Sequence, residues 1–247
     1  MNSFPSRLRS VLFAATVACL AKLSAYAAPD FTAPLTRDNA AVLFIDNQTN
    51  LIAACQSMET HLLINNTVGL AKIAKLYDLP VVLTTTGGGG SGPAGPLIPG
   101  ITETFPDAPI IDRQGFFNSM SDPAFRSAVE ATKRKKLIIT GITTDYCVML
   151  PALTALREGY TVYVVTDTCG SWTPAIEQAA WQRLSQAGAI LTNMQALVAE
   201  LQNNLMLADP EAAKAKQRDM IAFFGTYVGP TALMNATFLP KLAAPKK

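Results

Sequence analysis

Histidine is nearly absent: His61 is the only one in 247 residues. One imidazole cannot build a multi-histidine zinc site, and any Ser-His-Asp scheme would have to run through that residue. Charge is sparse as well, with 15% Asp, Glu, Lys and Arg against 49% hydrophobic residues. That balance excludes a disordered or coiled-coil chain and leaves apolar surface for several layers of structure. The length suits one domain with room for an appendage. Beyond the first residues, no apolar run is long enough to span a bilayer. No Cys-x-x-Cys occurs, so a thiol redox protein would require Cys147 and Cys169 to pair.

Residues 1 to 27 combine Arg7 and Arg9, an apolar run from Val11 to Ala21, and Ala25-Tyr26-Ala27. This is the three-part pattern of a signal peptide cleaved after Ala27, and it predicts a periplasmic or secreted protein. The leader carries three of the twenty basic residues and no acid, so the mature chain has seventeen basic against eighteen acidic residues, a net charge of −1. Nothing there offers an electrostatic footprint for nucleic acid, and Lys133 to Lys136 reads as a short solvated run at a helix end. The mature cysteines are Cys55, Cys147 and Cys169, an odd number that leaves at least one thiol unpaired within a chain.

Short β-branched runs then alternate with amphipathic stretches, the pattern of an α/β protein with a parallel sheet covered by helices on both faces. Strands are expected at Ala40 to Ile45, Leu79 to Thr84, Pro109 to Ile111, Lys136 to Thr140, Thr161 to Thr166 and Ala189 to Leu191. Helices are expected at His61 to Tyr77, with Leu62, Leu63, Leu70, Ile73 and Leu76 largely on one face, and from Pro123 through Val129, capped by Asp122. Cys147 to Glu158, Pro174 to Ala187 and Gln195 to Asn203 continue the series, with Gly159 and Gly188 as helix stops. Gly87 to Gly100, rich in glycine and proline, is a long surface loop, either a lid or a plain connector. The main domain is bounded at 28–204. The remainder, 205–247, reads as a helical extension over Pro210 to Phe224 and an apolar tail suited to contact with a neighbouring subunit.

In such a sheet, ligands bind outside the carboxyl ends of the strands. Asp46 ends the first strand, Arg113 follows the third and Cys147 lies just past the fourth, so three distant segments converge on one rim. At the first turn of a helix, and near a guanidinium, the Cys147 thiolate would be favoured, and Asp46 could carry its proton in place of a histidine. Each residue also has a plainer reading. Cys147 before Val148, Met149 and Leu150 could be a buried structural residue, Asp46 a turn residue, and Arg113 with Asp112 a surface pair. His61 is expected to be structural or exposed, and Cys169 to lie on the rim.

Ala-Val-Leu-Phe-Ile-Asp-Asn-Gln at 41 to 48, Asp-Arg-Gln-Gly-Phe-Phe-Asn at 112 to 118, Gly-Ile-Thr-Thr-Asp-Tyr-Cys-Val at 141 to 148 and Val-Thr-Asp at 165 to 167 together resemble the isochorismatase-like cysteine hydrolases, especially their YcaC-type branch. The resemblance covers about residues 35 to 204. It implies a doubly wound, six-stranded parallel sheet and a catalytic triad of Asp46, Arg113 and Cys147. It also implies a cis peptide at Ile142-Thr143 and an oxyanion hole formed by the N–H groups of Thr143 and Cys147. Gln48, Asn118 and Ile142 are implied as substrate-binding residues. The metal-binding histidine pattern of the nicotinamidase branch is missing, so no metal and no other cofactor is expected. The resemblance implies hydrolysis of a small amide, carbamoyl or related substrate through a thioester-type acyl-enzyme, in a homo-oligomer of eight chains or fewer. The competing expectation is a non-catalytic ligand-binding or scaffold protein that keeps the fold.

Overall fold

The strands are β1 (Ala40–Ile45), β2 (Val81–Thr86), β3 (Ile110–Arg113), β4 (Lys136–Gly141), β5 (Thr161–Val165) and β6 (Ile190–Thr192). They form one parallel sheet in the order β3-β2-β1-β4-β5-β6. The structure, a computed structural model, describes residues 32–113 and 115–234. The leader expectation at 1–27 lies outside the described residues. Among the described residues, no helix is long and apolar enough to cross a membrane.

β1 is central and every residue in it is buried, as a strand covered on both faces requires. Its side chains alternate between two cores. Val42 and Phe44 meet α1 (Thr49–Ala54), α2 (Thr60–Leu76), α6 (Met194–Ala208) and α7 (Pro210–Tyr227). Ala41, Leu43 and Ile45 meet α3 (Pro123–Ala131), α4 (Met149–Arg157) and α5 (Pro174–Gln186). The local start signals act as anticipated at α3: the Asp122 carboxylate accepts from the N–H groups of Ala124 and Phe125 at 2.9 and 3.0 Å, ahead of Pro123. Such a cap contributes about 1 kcal/mol.

Several expectations need adjustment. Leu62 is 43% exposed on the outer side of α2. The supposedly solvated Lys136 is buried, its ammonium donating to the Ala33 carbonyl and to the Tyr163 hydroxyl. The boundary at 204 falls inside α6. Beyond it, Leu205, Ala213, Phe223 and Val228 are buried in the same core as β1, so the described part of 205–247 is integral to the domain. The glycine-rich segment is neither a free lid nor a slack connector. Ala94, Leu97 and Ile98 are buried in it, and the connection after β1 holds it through Thr49 N–H to Pro96 (2.8 Å), Asn50 N–H to Ala94 (3.0 Å) and Ile98 N–H to Asn47 (3.0 Å). At its tip a side chain on Gly92 would sit 1.5 Å from the Gly87 carbonyl, so only glycine closes that turn.

Candidate active site

The order β2-β1-β4 puts the point where the winding reverses between β1 and β4, the place where an open α/β sheet forms its crevice. Both strand ends are drawn together there: a Cβ on Gly141, the last residue of β4, would lie 2.2 Å from the Ile45 carbonyl. Asp46 follows directly, with φ at 57°. A non-glycine residue in this region persists only where its surroundings hold it. Here its N–H donates to Thr84 (3.0 Å), and its carbonyl accepts from the N–H of Gln48 (2.7 Å).

Arg113 ends β3, two strand spacings of about 4.8 Å from β1, and its side chain crosses the end of β2 to reach Asp46. The guanidinium Nη1 donates to Asp46 Oδ1 at 3.0 Å and to Thr84 Oγ1 at 2.9 Å, and Nη2 donates to Asp46 Oδ2 at 2.7 Å. Both side chains have no solvent exposure. Arg113 is therefore not a surface partner of Asp112. That carboxylate instead accepts from Thr85 Oγ1 and from the N–H of Gly89, anchoring the start of the glycine-rich segment.

Cys147 lies on Thr144–Val148, a turn wound one residue wider than an α-helix, with Val148 N–H donating to Thr143 O at 3.1 Å. The regular helix α4 begins only at Met149, later than the sequence suggests. Such wide turns occur often at functional sites. Cys147 is 3% exposed, and its thiol lies close enough to the Asp46 carboxylate and the Thr143 backbone for both to act on its ionisation. The peptide Ile142-Thr143 is cis, as the resemblance implies.

The charge state of this pair departs from expectation. Burial, then the Asp46 charge, then the hydrogen bond to Asp46 push the Cys147 thiol up; Arg113 opposes them and loses. The guanidinium is already neutralised by its two bonds to Asp46, so little of its field is left for the sulfur. The surroundings of Cys147 in the closed site therefore favour the protonated thiol over the thiolate. Burial also raises Asp46, against the pull of Arg113, which brings the carboxylate closer to a working base.

The other anticipated site residues take different places. The Gln48 amide is engaged on both ends: Oε1 accepts from Thr86 N–H (2.9 Å), and Nε2 donates to the carbonyls of Thr86 (3.2 Å) and Gly95 (2.5 Å). Asn118 caps a short turn through Met120 N–H and donates to Thr154 Oγ1. Both amides hold the walls of the crevice. Ile142 is fully buried in the core beside β1. His61 is exposed on α2. Cys169 is fully buried below the rim, donating to the Val165 carbonyl. Cys55, Cys147 and Cys169 are all free thiols, so the pairing a redox role needs is absent from this structure.

Two features escaped sequence reasoning. Asn47 is completely buried, and neither its Oδ1 nor its Nδ2 has a protein hydrogen-bond partner among the described residues. Such a group costs about 1–3 kcal/mol unless water or a ligand meets it. Its only sequence signal is its position between Asp46 and Gln48. The second feature is a polar cluster behind the cysteine turn. Glu177 of α5 accepts from Thr144 Oγ1 at 2.8 Å, and Asp145 accepts from Ser171 Oγ at 2.7 Å. Burial, helped by these two carboxylates, pushes the Cys55 thiol up to about 12.

Burial likewise raises the Glu177 carboxyl. A raised acid holds its proton more tightly in the folded protein than in the unfolded one. Its contribution is therefore fully present below the unfolded pKa of about 4.3 and lost as pH rises through the folded value. Glu177→Gln keeps an acceptor for Thr144 and is expected to raise Tm at pH 7, with the gain vanishing near pH 4. A Tm gain unchanged between the two pH values would contradict this.

A sequence profile of the Isochorismatase domain matches residues 40–196, more than half of the chain. The probable hydrolase YcaC of Escherichia coli K12 is 42% identical over 167 residues, covering 68% of this chain and 79% of that protein. The crystal structure of the E. coli YcaC gene product, described as an octameric hydrolase of unknown specificity, superposes with a TM-score of 0.77 at 34% identity, over 87% of this chain and all of that one. YcaC from Pseudomonas aeruginosa, solved with hexane-2,5-diol and covalent acrylamide, gives 0.76 at 38% identity, over 85% and 99% of the two chains.

Proposed function

The chain belongs to the isochorismatase family and is a hydrolase, and on that premise we propose that it cleaves the C–N bond of a small amide or carbamoyl compound through an acyl-enzyme on Cys147. The observation that carries this reading is a buried cysteine beside a carboxylate that a buried guanidinium holds through two hydrogen bonds.

In the first half-reaction, Cys147 gives its proton to Asp46 as sulfur attacks the carbonyl carbon. The carbonyl electron pair moves onto oxygen, and the backbone N–H groups of Thr143 and Cys147 are assigned to that oxyanion. Collapse re-forms the carbonyl and breaks the C–N bond, while Asp46 passes its proton to the departing nitrogen. In the second half-reaction, water gives a proton to Asp46 and adds to the thioester. The C–S bond then breaks, sulfur recovers a proton and the carboxylic acid leaves. Arg113 donates to Asp46 and Thr84, and its role is to hold the carboxylate in place through both halves. The covalent acrylamide in the P. aeruginosa relative supports access of a small primary amide to a nucleophile.

The test is ammonia release from a set of primary amides and carbamoyl compounds, with Cys147→Ala as the blank, and the intact mass of the protein during turnover. An acyl adduct on Cys147 and at least a hundredfold loss in the variant are expected, on the order seen when a positioned catalytic group is removed. Equal rates in both proteins would overturn the proposal. The burial of Cys147 gives the ligand-binding alternative its one support, and a folded protein whose Cys147 resists iodoacetamide while binding amides would choose it.

A further inference from the structure

Between the strand that supplies Arg113 and the turn that supplies Cys147 lies a second feature, an apolar concavity of about 460 Å³ lined by Phe117, Tyr146 and Leu150. Its size falls within the range of small-molecule pockets. We propose that this concavity receives the acyl portion of the substrate, so that the preferred amides are those of aryl or branched aliphatic acids. The proposal rests on the acyl-enzyme reading and adds the substrate class to it.

Position is the first argument. Tyr146 immediately precedes Cys147 on the same turn, and Leu150 follows Tyr146 by four residues, at the start of α4. On the opposite side, the Phe116 carbonyl accepts from Arg113 Nε at 3.4 Å, which ties the segment carrying Phe117 to the guanidinium. The rings of Phe117 and Tyr146 close the gap edge to face, with centroids 5.4 Å apart and planes at 83°. The apolar walls are thus carried by the two segments that supply Arg113 and Cys147.

Chemistry is the second argument. None of the three lining residues is charged, and Phe117 is 67% exposed, so a large ring stands at the surface with Tyr146 as its aromatic neighbour. Covering it with an apolar group removes that surface from water, and edge-to-face packing is available to an aryl ring. In the acyl-enzyme, the group bonded to Cys147 sulfur would begin beside Tyr146. A polar carbamoyl group would leave the concavity wet and gain nothing from it.

The experiment compares acylation of Cys147 in the full protein by p-nitrophenyl acetate and p-nitrophenyl phenylacetate, read as the burst of p-nitrophenolate and as adduct mass. The phenylacetate-to-acetate rate ratio cancels intrinsic thiol reactivity when wild type and variant are compared. Phe117→Ser and Leu150→Ser are each expected to lower that ratio about tenfold, the usual range for lost apolar contact in a specificity pocket, and Phe117→Leu to keep most of it. An unchanged ratio in both serine variants, with Cys147 still acylated, overturns the subsite and leaves the thiol mechanism standing. Acylation by neither ester counts against the mechanism itself. Binding then decides the subsite separately: phenylacetamide, and not acetamide, should raise Tm in wild type but not in Phe117→Ser, and no such difference overturns it. Sedimentation velocity supplies the last arm. A Phe117→Ser variant that changes oligomeric state while keeping the ratio would assign the ring to contact between copies of the chain, which also overturns the proposal.

Discussion

Replacing Arg113 by Met should destabilise the protein by about 3–5 kcal/mol, the cost of leaving a buried carboxylate without its partner. Asp46 and Arg113 have no solvent exposure and are joined by two charge-assisted bonds. Once the guanidinium is gone, water cannot take its place at Asp46 without opening the sheet edge. Arg113→Lys retains a charge but not the planar fork that bonds both carboxylate oxygens and Thr84 together, so it is expected to recover only part of the loss. The double variant Asp46→Leu, Arg113→Met removes both charges and should recover most of the stability while abolishing hydrolysis, because the two changes share one interaction. Urea unfolding with an unchanged m value measures all three. A loss below about 1 kcal/mol in Arg113→Met would place the pair in contact with water and contradict the burial argument.

Asp46→Asn should have opposite effects on turnover and on thiol acidity. On the proposed mechanism, hydrolysis is expected to fall by about 10²–10⁴-fold, since Asp46 would carry the proton between sulfur, nitrogen and water. The Cys147 thiol, however, should become more acidic. The Asp46 charge and its hydrogen bond both raise this thiol, whereas Arg113 lowers it, so neutralising Asp46 removes two opposing influences and frees the guanidinium's field. Thiolate absorbance at 240 nm against pH should shift to lower pH in the variant, and alkylation by iodoacetamide near neutrality should become faster. A variant with slower hydrolysis and a quicker thiol would separate a proton-transfer role for Asp46 from a merely structural one. A titration that stays in place or moves up would mean that Asp46 does not hold the thiol proton.

Local chemistry made much of the molecule legible in advance. β1 is found at the expected residues, Ala40–Ile45, because an unbroken apolar run before Asp46 can only be a strand covered on both faces. Asp122 and Pro123, then Thr173 and Pro174, mark helix starts through hydrogen bonds made within a few residues. The motif from Gly141 to Val148 resembles the family whose profile matches residues 40–196. Asp46, Arg113 and Cys147 were placed at strand ends by pattern alone, and the sheet order brings them together.

Gln48 and Asn118 show where this kind of reading stops. Each amide can serve a substrate or the backbone, and the choice depends on Gly95 and Thr86 for one, and on Met120 and Thr154 for the other. Asn47 carries the same side-chain chemistry as Asn118 yet ends up buried without a partner. The sequence determined the strand and helix periods, the caps, the family and the identity of the reactive groups, because these depend on neighbours along the chain. Only the tertiary structure decided that burial and Asp46 together favour the protonated Cys147, that Arg113 is held by Asp46, and that α7 completes the core. Burial and the distance between charges are set by segments far apart in sequence, and together they decide which ionic form is stable.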